Sequence, residues 1–153
     1  MTYRFLIISL ASLAIVASCS PAKEATNNKK TYSEQEIVKN HEISWLNLLN
    51  QKENNYIVFV YSEKCGHCHD MIDEIIDFAS DDILPTYFVD TLKNEIAIST
   101  ESNIGKYHID EVKIQGTPSI IEVENARVIA DVAGIDNCLT YLNTKRMEIK
   151  YIL

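Results

Sequence analysis

The feature that most constrains this 153-residue chain is a pair of cysteines, Cys65 and Cys68, that separates two different apolar patterns. Before the pair stands an uninterrupted aromatic and β-branched run, residues 56–61, which is typical of a buried strand. From Cys68 onward, apolar residues recur at helical spacing, with acidic residues on the other side. The free amides and positive dipole end of a helix N-terminus favour a thiolate on the first cysteine. The motif therefore predicts a reactive dithiol at a strand-to-helix junction.

The rest of the chain supplies further elements by the same criteria. A capping box, Ser33 with Glu36, predicts a first helix that runs to about residue 50. We also predict strands over residues 56–61, 83–90, 119–124 and 127–133, and helices over residues 68–79, 92–106 and from about 136. The last two strands are expected to form a hairpin.

A second motif, Gly116-Thr117-Pro118, stands directly before the strand at residues 119–124. Together with the dithiol between strand and helix, it resembles the thioredoxin-like family, and the resemblance covers roughly residues 33–150. The resemblance implies an α/β thioredoxin fold, in which helices flank a central mixed β-sheet. It also implies a cis-proline at Pro118, beside the dithiol, because an X-Pro bond adopts cis at a cost of only about 0.5–1 kcal/mol.

The resemblance also implies roles for the site residues. Cys65 would be the attacking thiol and Cys68 the resolving thiol, while Thr117 and Pro118 would contact the substrate peptide. The Cys-Gly-His-Cys sequence is the motif of protein disulfide isomerase, and the imidazolium of His67 would stabilise the Cys65 thiolate. We therefore expect a thiol-disulfide oxidoreductase that favours oxidase or isomerase chemistry over strong reduction. We expect it to need no cofactor and no metal.

Some residues depart from the family pattern. Phe59 occupies the strand position at which thioredoxins have a buried acid, and Lys64 replaces the tryptophan that usually precedes the first cysteine. Lys64 is expected to lower the pKa of Cys65 further. Glu63 could take the proton of Cys68 through water, although a solvated surface acid is the favoured interpretation. Cys138 lies on the apolar side of the last helix and is interpreted as a small buried hydrophobe.

The N-terminal segment predicts export. Residues 1–18 have the positive and apolar regions of a signal peptide, and the four residues ending at Cys19 resemble a bacterial lipobox. Cys19 is therefore the expected lipidation site, residues 19–32 a flexible tether, and residues 33–153 the thioredoxin-like domain. This predicts an extracytoplasmic protein, anchored to a bacterial membrane by lipid. Its expected partners are exported proteins with cysteines or disulfides and a membrane redox partner.

The charge of the chain excludes one class of partner. The formal net charge is −8, and removal of the signal takes away Arg4 and no acid, which leaves 13 basic against 22 acidic residues and a charge of −9. Such a surface repels nucleic acid and anionic lipid headgroups. The lipid, rather than a basic patch, is expected to hold the protein at the membrane.

Three alternatives use the same residues. Cys65 to His69 also matches the haem attachment pattern C-x-x-C-H, although haem needs an apolar pocket and normally a second axial ligand. The two thiolates with His67 or His69 could bind copper or zinc, as in thioredoxin-like copper chaperones. A thioredoxin-like accessory lipoprotein could instead bind an exported peptide beside Pro118 without redox turnover.

Overall fold

The computed structural model describes residues 36–150; the predicted signal, lipidation site and tether lie outside the described residues. Its elements are β1 (Asn55–Tyr61), α1 (Gly66–Ser80), β2 (Thr86–Asp90), β3 (Ser119–Glu124), β4 (Arg127–Ala133) and α2 (Ile135–Lys150). Short 3-10 turns span Trp45–Asn47 and Ile109–Glu111. The strands form one sheet in the order β2-β1-β3-β4, in which β1 and β2 are parallel and the other two pairs antiparallel. The hairpin of β3 and β4 has the predicted bounds, whereas β2 begins later than predicted, directly after Pro85.

Strand β1 is the centre of the molecule because both of its faces are buried. Alternate side chains from Ile57 to Tyr61 pack with α1 and α2 in one core. The intervening side chains, from Tyr56 to Val60, pack in a second core on the opposite face of the sheet. Burial of each large apolar side chain contributes roughly 1.5–3 kcal/mol. The continuous apolar run in the sequence therefore reflects a strand with no solvent-facing side.

The predicted first helix, residues 33–50, is wrong over most of its length. Among the described residues, the helix covers only 36–40, and the chain then extends beside β2. The Ile43 N–H donates to the Phe88 carbonyl at 2.9 Å, and the Phe88 N–H donates to the His41 carbonyl at 3.0 Å. Trp45 and Leu48 are nevertheless buried. The helix ends early because the open edge of β2 supplies other partners for the backbone.

The predicted helix over residues 92–106 is also wrong, because this segment is an ordered loop. Asn103 has no exposed surface, and its side chain holds the loop in place through hydrogen bonds. Its side-chain N–H groups donate to the Lys113 carbonyl and, at 2.8 Å, to the Asp131 carboxylate, while its side-chain oxygen accepts from the Lys113 N–H at 3.0 Å. Ile98 forms a parallel bridge with Ile114. Long-range partners of this kind have no local sequence pattern.

Helix α1 has the predicted amphipathic character. Cys68, Met71 and Ile75 are buried, and Asp73 and Asp77 on the other side are exposed. The helix starts at Gly66, two residues before the predicted start, because Cys65 caps it. No helix within residues 36–150 is long and apolar enough to cross a bilayer.

A buried carboxylate joins β3 to α2. Glu122 is 2% exposed, and its Oε2 accepts a hydrogen bond from the Tyr141 hydroxyl at 2.7 Å and lies 3.0 Å from the Lys145 ammonium. Burial and this hydrogen bond raise the pKa of the Tyr141 phenol. The free energy of the fold therefore depends on these partners, because a buried charge without them carries its whole desolvation penalty.

Replacement of Tyr141 by phenylalanine tests this dependence. We expect Tyr141→Phe to lower the free energy of unfolding by about 1.5–3 kcal/mol, the usual range for a hydrogen bond to a charged group. Urea denaturation followed by circular dichroism measures the change. Tyr107→Phe is the matched control, because Tyr107 is 55% exposed and loses only a solvated hydroxyl. Equal destabilisation by the two variants would contradict this interpretation.

Candidate active site

The two cysteines lie in the first turn of α1 with different exposure. Cys65 is the N-cap residue, and its sulfur accepts a hydrogen bond from the Cys68 N–H at 3.2 Å. Cys65 is partly exposed, whereas Cys68, one turn into the helix, is only 3% exposed. Both are free thiols. The outer sulfur is therefore accessible to a partner and the inner one is shielded.

The surroundings of Cys65 favour its thiolate. Burial raises the pKa of Cys65, but hydrogen bonds from the Cys68 thiol, the Thr117 hydroxyl and the N–H groups of Cys68 and His67 together lower it below the ordinary value. These donors aim at the position where negative charge develops, at the positive end of the helix. Cys65 is therefore the better nucleophile at neutral pH.

Cys68 has the opposite tendency. Burial, together with the hydrogen bond that its thiol donates to Cys65, raises the pKa of Cys68 to about 11. Cys68 is thus protonated at neutral pH, and its proton stabilises the neighbouring thiolate. The two thiols therefore differ chemically: the pKa of Cys65 is lowered and that of Cys68 is raised.

The loop before β3 completes the site. The Thr117–Pro118 peptide bond is cis, and the Cys65 thiol donates to the Thr117 carbonyl at 3.5 Å. The Ser119 hydroxyl donates to the Gly116 carbonyl at 2.6 Å, and the Gly134 N–H donates to the Pro118 carbonyl at 2.9 Å. These bonds fix the loop against Cys65. Two motifs that are independent in sequence therefore meet at one point.

A groove of about 400 Å³ opens beside Cys65. Cys65, Lys64 and Thr117 line it, and Ile96 and Ile98 from the loop after β2 form an apolar wall. Ile98 is 74% exposed. Sequence reasoning missed this contribution, because residues 92–106 were predicted to be helical. The two-residue spacing of the isoleucines, which suits extended chain rather than helix, is the signal that could have revealed it.

The two histidines of the motif have different surroundings. The His67 side chain is exposed, and His67 contributes to the lowered pKa of Cys65 through its backbone N–H. The His69 Nε2 lies 2.9 Å from the Glu63 carbonyl, so this ring holds the turn between β1 and α1. Within residues 36–150, no three His, Cys, Asp or Glu side chains converge as metal ligands would.

Cys138 is buried below the site. Its sulfur lies 3.8 Å from the carbonyl oxygens of Pro118 and Val132. Burial raises the pKa of Cys138 to about 12. At neutral pH it is therefore a protonated, apolar side chain that packs behind the Pro118 loop.

No protein-family model and no curated protein matches the chain. Solved structures do match it. Mitochondrial thioredoxin 3 from Saccharomyces cerevisiae, in its oxidized form, is 13% identical with a TM-score of 0.52, over 74% of this chain and 98% of that one. A mutant thioredoxin from Halobacterium salinarum is 11% identical with a TM-score of 0.49, over 65% of this chain and 78% of that one. The first likeness confirms the expected fold: the chain has the thioredoxin fold.

The asymmetry of the dithiol predicts the pH dependence of its alkylation. Reduced protein treated with iodoacetamide should be modified first at Cys65, because the thiolate is the reactive form. Half-maximal reactivity of Cys65 is expected at a lower pH than that of an exposed peptide cysteine assayed alongside, since the pKa of Cys65 is lowered. Peptide mass mapping of each thiol measures this. Preferential modification of Cys68 would refute this prediction. Half-maximal reactivity of Cys65 at the same pH as that of the peptide cysteine, or at a higher pH, would refute it too.

Proposed function

We propose that this chain is a thiol-disulfide oxidoreductase in which Cys65 and Cys68 form the reacting pair. The observation that carries the proposal is the position of the partly exposed Cys65 sulfur, which accepts a hydrogen bond from the Cys68 N–H and lies 3.5 Å from the Thr117 carbonyl at an open groove. A thiolate with a lowered pKa, open to solvent and one turn from a second thiol, is the arrangement that disulfide exchange needs.

The reaction has two steps. The Cys65 thiolate attacks one sulfur of a partner disulfide, which forms a mixed disulfide and expels one partner thiolate. Cys68, once deprotonated, attacks the Cys65 sulfur, forms the Cys65–Cys68 disulfide and releases the second partner thiolate. Two electrons pass from the dithiol to the partner, and solvent protonates the departing thiolates. Oxidation of a partner dithiol follows the same steps in reverse.

The groove supports a polypeptide substrate rather than a small disulfide. Its wall of exposed isoleucine can accept an apolar side chain, and the Lys64 ammonium and the Thr117 hydroxyl supply polar contacts. We therefore propose that Thr117 and Pro118 bind the partner, and that exported proteins with cysteines or disulfides are its substrates.

We propose that the pair favours oxidase or isomerase chemistry, because an imidazolium at His67 stabilises the reduced form. Its position supports this, since the exposed His67 side chain lies in the first turn of α1, two residues from Cys65. Whatever stabilises the thiolate makes the disulfide a better oxidant. The N–H of His67 contributes as well, so the ring and the amide have to be separated experimentally.

The reduction potential tests this function. Equilibration of the full chain, in detergent, with glutathione buffers should give a value near about −180 mV for the Cys65–Cys68 pair. His67→Ala keeps the N–H and removes the ring, so the potential should fall by roughly 30 mV or more, a tenfold change in the equilibrium constant. His67→Pro removes both the ring and the N–H, so the reduction potential of this variant should fall further.

A potential near about −270 mV would contradict the oxidase preference and leave a reductant. An unchanged potential in His67→Ala would contradict the role of the ring. Disulfide exchange that persists in Cys65→Ser would contradict the oxidoreductase itself.

We propose that the protein works outside the cytoplasm, held to the membrane by lipid on Cys19. The support is the lipobox-like sequence and the acidic composition, with no run of Lys and Arg in the sequence that would bind anionic lipids. Expressed in a bacterium, the full chain should partition with membranes after a high-salt wash, and Cys19→Ser should release it to the soluble fraction. Retention of Cys19→Ser on washed membranes would refute lipid anchoring through this residue.

An accessory peptide-binding protein is the second candidate, and the exposure of Ile98 beside the dithiol favours it. Such a protein would bind peptide equally well as the Cys65→Ser variant and would need no turnover. A membrane redox partner is required only by the oxidoreductase.

A further inference from the structure

The second step of the proposed reaction needs a proton acceptor for Cys68. Burial places the pKa of Cys68 at about 11, so its thiolate is scarce at neutral pH. Phe59 and Phe88, both without exposed surface, belong to the same core as Cys68 and pack edge to face with centroids 6.2 Å apart. The strand position that would hold an acid is therefore filled by an aromatic ring. The proton has to leave in another direction.

A second cavity, of about 570 Å³, opens beside Cys68. It shares only Ser62 with the groove beside Cys65, so it approaches the dithiol from a different side. Its apolar walls include Ile72 and Ile76 of α1. Its volume holds several water molecules, and its polar groups can bind them. The charged and titratable side chains that line it beside Cys68 are Lys39, Glu42, Tyr61, Glu63, His69 and Lys93.

Glu42 is the carboxylate that the fold holds at this cavity. The Lys93 ammonium donates to both of its oxygens, at 2.7 and 2.9 Å, and its side chain is only 23% exposed. Its backbone is fixed by the parallel bridge between Glu42 and Phe88. Glu42 also raises the pKa of Tyr61, after the larger effect of burial, so the carboxylate acts on a side chain that lines the same cavity.

The other groups are less suited to accept the proton. The Nε2 of His69 is engaged with the Glu63 carbonyl, so this ring nitrogen does not accept the proton, and Lys93 is itself a cation. Glu63 has an exposed side chain in a turn. The raised pKa of Tyr61 keeps its phenol protonated.

We propose that Cys68 releases its proton into this cavity and that Glu42 accepts it through water, with Lys93 as the positioning residue. The inference rests on the proposed oxidoreductase function. When the Cys68 S–H bond breaks, the proton passes to water and then to the Glu42 carboxylate. The Cys68 thiolate forms a bond to the Cys65 sulfur, and the bond between Cys65 and the partner sulfur breaks. Glu42 returns the proton to solvent at the open rim of the cavity.

A substrate that reports each step separately tests this. A peptide disulfide that joins two cysteine peptides, each labelled with the same self-quenching fluorophore, releases one labelled thiol when Cys65 attacks and the other when Cys68 resolves the mixed disulfide. Stopped-flow fluorescence of the reduced full chain in detergent, from pH 5 to 9, measures both releases: the intensity rises when the first release separates the two fluorophores, and the anisotropy falls when the second release frees the labelled half held on Cys65.

We expect Glu42→Gln to slow the second release at least about tenfold at pH 7, since general base assistance contributes at least that much. Its pH profile should shift to higher pH, because hydroxide must replace the carboxylate. The first release should be unchanged, which also shows that the variant is folded. Glu63→Gln is the matched control, a neutralised carboxylate at the same cavity, and should leave both releases within about twofold of the original chain.

A second release by Glu42→Gln with the original rate and pH profile would overturn the assignment. Equal slowing by Glu63→Gln would overturn it too, because the effect would then reflect net charge. Failure of the unaltered chain to give a first release, or a first release that survives Cys65→Ser, would instead refute the proposed function.

Discussion

The antiparallel register between β1 and β3 is the constraint from which the geometry of the site follows. Val60 pairs with Ser119, so the residues after β1 and the residues before β3 meet at the same edge of the sheet. Cys65 follows β1 and Thr117 precedes β3, which brings their sulfur and carbonyl to 3.5 Å across 52 positions of sequence. A slip of one residue would turn every side chain of β3 to the other face and bury the wrong set. The two buried cores therefore fix the register of β3 against β1, and this register sets the position of Thr117 relative to Cys65.

The start of α1 then makes the two thiols chemically different. A helix has unpaired N–H groups in its first turn, and Cys65 stands where they point, whereas Cys68 stands where the helix packs on the sheet. The pKa of Cys65 is lowered and that of Cys68 is raised for these separate reasons. The same turn of chain thus supplies a partly exposed thiol with a lowered pKa and a buried thiol with a raised pKa.

Irregular segments at the edges of the sheet line both openings next to the dithiol, the groove beside Cys65 and the cavity beside Cys68. Residues 41–43 cover the edge of β2 and bring Glu42 to the cavity beside Cys68. The loop after β2 brings Ile96 and Ile98 to the groove beside Cys65. Asn103, buried and bonded to two distant segments, holds that loop in place. These segments supply hydrogen-bond partners for the backbone of the edge strands, and they also form part of the walls of the groove beside Cys65 and the cavity beside Cys68.

The sequence by itself determined β1, α1, the β3–β4 hairpin and the dithiol at a helix start, because each depends on local spacing, capping or turn chemistry. Its resemblance to a known family also predicted the thioredoxin fold, and its spacing predicted the burial of Cys138. It did not determine the backbone of residues 41–50 and 92–106, where helical spacing was overridden. Only the tertiary structure decided that Glu42 faces the cavity beside Cys68 and that Ile98 lines the groove beside Cys65. The physical reason is that open strand edges and a buried amide offer hydrogen-bond partners far away in sequence, and such partners outweigh weak local helix propensity.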